Sequence, residues 1–152
     1  MTLIKCTNEG NIEMTPDEEA QYHADTFEPN KHCFRNKIAK KQAQLAFTNI
    51  ETLDINNDLV TIQYRDVIDR GNLDSVCIEA MMNLTLNNGN NVVFRCLDNI
   101  EHVFDSSAFI EIVNQKNAYV KSTRDKMNIK LQEIENITSQ EELGAFDVDA
   151  GW

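Results

Sequence analysis

The sequence predicts an α+β protein with two or three β-hairpins, a long C-terminal helix and an N-terminal helical arm. Three observations predict it. Short alternating apolar runs come in pairs around turns rich in Asn, Asp and Gly. Longer stretches between them carry apolar residues at three- and four-residue steps. Residues suited to capping stand before several of those stretches.

Leu3-Ile4-Lys5-Cys6 and Asn11-Ile12-Glu13-Met14 flank Asn8-Glu9-Gly10 and read as a hairpin. Thr15-Pro16-Asp17-Glu18 then opens a helix. Thr15 can cap it, Pro16 suits its first position, and Glu18 can complete a capping box. Proline disfavours the helical region for the residue before it, so this helix should stop ahead of Pro29 and leave residues 28–32 as a linker. A second helix, over residues 34–47, sets Phe34, Ile38, Gln42 and Leu45 on one stripe, flanked by alanines. So narrow a stripe suits packing on one neighbour, which makes Phe34, Ile38 and Leu45 candidate interface residues.

Residues 50–55 and 59–64 flank Asn56-Asn57-Asp58, the clearest hairpin in the chain. A helix over residues 66–86 follows, with Leu73, Val76, Cys77, Ala80, Met81 and Leu84 on its apolar face and Asn87-Asn88-Gly89 ending it. Residues 92–96 and 101–104 form another hairpin across Asp98-Asn99. The longest helix, over residues 107–135, carries Phe109, Ile112, Val113, Val120, Met127, Leu131 and Ile134. A short last helix begins at Thr138-Ser139-Gln140-Glu141, a capping box.

The 152 residues suit one domain of ordinary size, with 41% hydrophobic and 26% charged residues, a balance that excludes a disordered polymer. No apolar run approaches the roughly 20 residues of a membrane helix, and the N-terminus does not read as a secretory signal. Cys6, Cys33, Cys77 and Cys96 are therefore expected as reduced thiols. The net charge of −11 argues against nucleic acid or an anionic membrane as partner. The charge is uneven. Lys31, Arg35, Lys37, Lys40 and Lys41 cluster, while residues 133–149 carry six acids and no base. A solvated face and an acidic tail explain this, and so does complementarity with a partner.

Groupings with the residue types for chemistry have plainer explanations. His23, Asp25, His32 and Cys33 fit no zinc spacing. Cys96 and His102 could face across the last hairpin, but no third orienting group is evident. Arg95 could make a local turn contact with Asp98. The carboxylate pairs lie at helix starts or in the tail, where dipoles and water account for them. No phosphate-binding loop, metal site or cofactor site is indicated, and no catalytic residues are assigned. Trp152, the only tryptophan, either staples the tail to its own core or anchors a neighbouring chain.

Three segments carry a resemblance to a known family. They are Asp69-Arg70-Gly71-Asn72-Leu73, leading to Ala80-Met81-Met82; Phe94-Arg95 with Leu97-Asp98-Asn99 and His102; and Thr138-Ser139-Gln140-Glu141-Glu142-Leu143, ending in Phe146-Asp147-Val148-Asp149-Ala150-Gly151-Trp152. Together they resemble a phage domain of unknown function found in tail-fibre-associated and fibre assembly proteins. The resemblance covers roughly the last two-thirds of the chain, with Phe94 standing where such proteins often have tryptophan. It implies a setting and no reaction: a non-enzymatic tail component made in the host cytoplasm and residing in the virion, with tail or fibre proteins as partners. On this reading residues 1–47 are an arm for attachment or homo-oligomerisation, and residues 48–152 a compact α+β body. A competing expectation, motivated by the charge, is a small acidic phage-encoded inhibitor of a host nuclease that imitates nucleic acid. The basic cluster breaks up the continuous acidic face that such mimicry needs.

Overall fold

The computed structural model describes residues 3–7 and 10–152. The order of elements is β1 (Ile4–Thr7), β2 (Gly10–Glu13), α1 (Pro16–Ala46), β3 (Ile50–Leu53), β4 (Leu59–Ile62), α2 (Val67–Leu86), β5 (Asn91–Arg95), β6 (Glu101–Asp105), α3 (Ser106–Asn136) and α4 (Gln140–Ala145). The strands pair as three antiparallel hairpins, so the α+β class and the long C-terminal helix are as the sequence predicts. The turn residues Asn8 and Glu9 lie outside the described residues. Among the described residues no helix is long and apolar enough to cross a membrane.

The N-terminal helical region differs from expectation. Two helices and a linker were predicted, whereas α1 runs unbroken through Pro29. Proline removes one N–H and displaces the carbonyl four residues earlier, that of Asp25. Both Asp25 and Pro29 are exposed, so water can reach the freed carbonyl. The helix is also anchored on both sides of the proline. Upstream, Thr15 and Glu18 exchange hydrogen bonds in the predicted capping box. Downstream, Lys31 Nζ donates to the Glu135 carbonyl at 3.3 Å and Arg35 grips the Glu135 carboxylate at 2.8 and 3.0 Å. These fixed points outweigh a local preference.

The chain forms two compact units, one of Met1–Lys41 with Lys126–Trp152 and the other of Gln42–Asp125. This is not the division at residue 47 read from the sequence. The reason lies in the first unit, where the end of α3 and the tail pack with α1. Besides the Glu135 contacts, Lys41 pairs with Asp149 at 2.8 Å and Phe34 meets Phe146 edge to face. Ile38, Ile134 and Leu143 are its fully buried large apolar side chains. The α4 capping box is present one residue later than predicted, between Ser139 and Glu142.

The second unit holds the larger apolar core. Val60, Ile62 and Tyr64 on and after β4, Leu73, Cys77 and Ala80 on α2, Val92, Phe94 and Cys96 on and after β5, Phe104 on β6, and Phe109 and Val113 on α3 form one cluster. The β5 pattern is strict, with Val92 and Phe94 buried and Asn91, Val93 and Arg95 exposed. Two backbone bonds tie the hairpins together, Leu97 N–H to the Thr61 carbonyl at 2.8 Å and Ile55 N–H to the Val103 carbonyl at 2.9 Å. The second bond takes Ile55 out of β3, which therefore ends at Leu53, short of the predicted residue 55. Asn57, Asn87 and Asn99 adopt positive φ of 65°, 53° and 63° at the three turns where Asn-rich sequence predicted them.

Interior proline costs a helix about 3 kcal/mol relative to alanine. Pro29→Ala should therefore raise unfolding stability by about 1–3 kcal/mol in urea titrations followed by circular dichroism. Unchanged or lower stability would show that α1 needs the proline.

Candidate functional site

Of the residues nominated for an interface from the sequence, Ile38 is buried and Phe34, Leu45 and Trp152 are half-buried. Ile38 has no accessible surface and belongs to the core of the first unit, so it offers nothing to a partner. Phe34 is half-buried, with Phe146 against its ring and Lys37 Nζ over it at 4.9 Å. Leu45 is half-buried near the end of α1. Trp152 is also half-buried and donates its indole N–H to the Val148 carbonyl at 2.7 Å, a contact within the tail itself.

The Cys96–His102 pairing is not formed. In the β5–β6 register His102 stands opposite Phe94, while Cys96 follows the strand and bonds back to Ile100. The Cys96 thiol lies against the Phe94 carbonyl. Burial, with the charges of Asp98 and Asp54 added, pushes that thiol up to about 11, which leaves almost no thiolate at neutral pH. Arg95 is likewise not on Asp98. It reaches its cross-strand partner Glu101 at 3.0 Å. His23, His32 and Cys33 lie exposed along α1. Cys33, Cys77 and Cys96 are free thiols, and the side chain of Cys6 lies outside the described residues.

His102 has a different task, which the sequence did not reveal. Its Nδ1 lies 3.2 Å from Asp54 Oδ2 and its Nε2 lies 2.9 Å from Asp98 Oδ2. Only the doubly protonated ring can donate at both positions. The Asp98 bond, followed by the Asp54 bond, accordingly holds His102 above the ordinary imidazole value. Burial pushes Asp54 up, but the N–H groups of Asp58 and Asn56 and the His102 ring together outweigh it and leave the carboxyl lowered. Asp98 is lowered by His102 and by the Ile100 N–H. With both ring nitrogens engaged by carboxylates, His102 makes a structural contact. It ties the β3–β4 turn to the β5–β6 turn. The Asp98-to-His102 spacing was a readable signal. Asp54, 48 residues from the histidine, was not.

Beside this clamp lies a cleft of about 350 Å³, lined by Gln63, Asp69, Asn72, Asn99 and the β5 segment from Phe94 to Leu97. The expected family segments around residues 69–73 and 94–99 thus meet at one place. Asp69 is neutralised by Arg65, which donates its backbone N–H and Nε at 2.9 Å each and Nη2 at 3.3 Å. Helix α2, which supplies Asp69 and Asn72, is capped by the Asp66 carboxylate accepting from the Ile68 and Asp69 N–H groups.

The same helix has a second apolar stripe. Leu73, Cys77 and Ala80 face the core, but Val67, Ile78 and Met82 are 72, 59 and 54% exposed. At 100° per residue these three fall within one sixth of a turn, roughly opposite the buried stripe. The sequence reading placed Met81 and Leu84 on the buried face, whereas both are exposed. No family model, curated protein or solved structure matches the chain.

Two outcomes follow from these placements. Ile38→Ala should cost about 2–5 kcal/mol of unfolding free energy, as for any fully buried isoleucine, measured by denaturant titration. A cost near zero would reopen Ile38 as a contact residue. The His102 tie gives a signed pH dependence. A raised imidazole stabilises fully below its unfolded value, about 6.5, and that stabilisation is lost as pH rises through the folded value. The lowered carboxyls of Asp54 and Asp98 contribute above the ordinary carboxylate range and lose their contribution as pH falls. The wild-type melting temperature should therefore drop from pH 6 to 9 more steeply than that of His102→Gln. Parallel profiles would refute the tie.

Proposed function

We propose that the protein is a non-enzymatic binding component of a bacteriophage tail, attached to the tail fibre or assisting its assembly. The observation that carries the binding reading is the second apolar stripe of α2. Val67, Ile78 and Met82 hold large apolar surface in water on a helix whose other side is already packed. Covering such a stripe with another polypeptide returns about 25 cal/mol for each Å² of apolar area removed from water. The neighbouring titratable groups support the same reading because they are committed to structure. His102 bridges two carboxylates, Asp69 is paired with Arg65, and Cys96 is a buried thiol.

The tail setting rests on the three sequence segments that resemble the tail-fibre-associated family. Two of them, around Asp69–Leu73 and Phe94–Asn99, border one cleft, which supports treating them as one functional unit. Fibre or other tail proteins are then the partners, and the finished virion or its assembly intermediate is the location.

Co-purification with phage fibre proteins, and mass spectrometry of purified virions, test this reading. A tail component should appear at a fixed copy number in the virion. An assembly factor should co-purify with fibre protein from infected cells and be missing from the particle. The double substitution Ile78→Asp with Met82→Asp should reduce fibre capture at least tenfold while leaving the circular dichroism spectrum unchanged. Equal capture by the variant would remove α2 from the interface. Absence from both virion and fibre would overturn the tail reading.

A further inference from the structure

We infer that the polar cleft of the 42–125 unit receives an extended segment of a partner polypeptide, gripped through its main chain, with an acidic side chain set beside Arg95. This rests on the binding reading above and names what the partner presents. Three carboxamides border the cleft from three separate elements: Gln63 just after β4, Asn72 on α2, and Asn99 in the β5–β6 turn. Among the described residues, none of these side chains donates or accepts a hydrogen bond within the chain. A carboxamide offers an N–H donor beside a C=O acceptor, the same pair that a peptide unit presents, so each can engage a main chain in both directions. Polar side chains left open at a concave site, and carried on fixed backbone, are what orients a bound ligand.

The backbone beneath them is fixed. Leu97 N–H bonds to the Thr61 carbonyl at 2.8 Å, holding the end of β5 beside β4. The Asn99 N–H closes the turn on the Cys96 carbonyl at 3.0 Å, and the His102–Asp98 contact braces the same turn. The Asp66 cap fixes the first turn of α2, one turn before Asn72.

The charge of the cleft selects among ligands. Its one carboxylate, Asp69, is already satisfied by Arg65. Arg95 spends a single Nη2 on Glu101 and its side chain remains 62% exposed, which leaves donors for a second carboxylate. Sugars and nucleobases are less well served, because both are recognised by stacking on an open aromatic face. Phe94 is the only aromatic in the lining, and its ring is buried against Phe109. At about 350 Å³ the cleft is at the small end of ligand sites, which suits a few residues of peptide and not a folded domain.

Selection of a random twelve-residue peptide library on the immobilised full-length chain tests this, followed by fluorescence anisotropy with the enriched peptides. Acid-containing peptides should enrich. Gln63→Ala with Asn72→Ala should weaken their binding at least tenfold, and Arg95→Gln should weaken it about fivefold and abolish the preference for an acid. Circular dichroism confirms that each variant is folded. The inference is overturned if no peptide enriches above background, or if enriched peptides bind the Gln63→Ala, Asn72→Ala chain as well as wild type. The Ile78→Asp, Met82→Asp chain separates the two readings. Peptide binding that fails there but survives the carboxamide changes would sink the cleft and leave the α2 stripe standing. Peptide binding that survives there but fails with the carboxamide changes supports the cleft independently of the stripe.

Discussion

In the 42–125 unit, the opposition of Val92 to Phe104 and of Phe94 to His102 fixes which face of the β5–β6 hairpin turns inward. A slip of one residue would exchange Phe94 for Arg95 in the core, because side chains alternate with period two. The correct register seats Phe94 and Phe104 on Phe109 of α3. It also leaves His102 at the margin of the core, within reach of both turn carboxylates. The thiol of Cys96, the clamp and one wall of the cleft all inherit their positions from that pairing. A two-stranded ribbon has little stability of its own, so helix packing and the two backbone links to the neighbouring hairpin hold the register.

The other unit uses cations where this one uses strands. Lys31 is buried with its ammonium on the Glu135 carbonyl, one of the last of α3, where the helix dipole favours positive charge. The same ammonium lies over the Phe27 ring at 4.7 Å, and Lys130 similarly bridges the Asp147 carbonyl and the Phe146 ring. Part of the basic cluster noticed in the sequence is thus internal wiring. Lys116 behaves alike in the 42–125 unit, donating to Thr48 over the Tyr64 ring, and its burial lowers its proton affinity.

These assignments narrow what remains available for function. Ile38 and the indole of Trp152 are used by the chain itself. Features open to a partner include the outer stripe of α2 and the three carboxamides that border the cleft. The stripe and one of the carboxamides, Asn72, belong to a helix whose inner face is anchored at Leu73 and Cys77.

Local signals were legible in the sequence because local physics decides them. The alternation of Val92, Phe94 and Cys96, the cap at Thr15, and the Asn turns at 57, 87 and 99 follow from backbone preference within a few residues. Pro29 was misleading, since its local penalty is outweighed by the contacts that Lys31 and Arg35 make to Glu135, some hundred positions away, and by the burial of Ile38. The helical period of α2 revealed its amphipathic character but could not show which of its apolar residues would stay in water. The sequence by itself therefore determined the class, the hairpins and most element ends. Tertiary structure alone decided that Asp54 meets His102, that Asn72 meets Asn99 across a cleft, and that residues 126–152 belong with 1–41. Contacts so distant along the chain depend on how whole elements pack, and no short window of sequence records that.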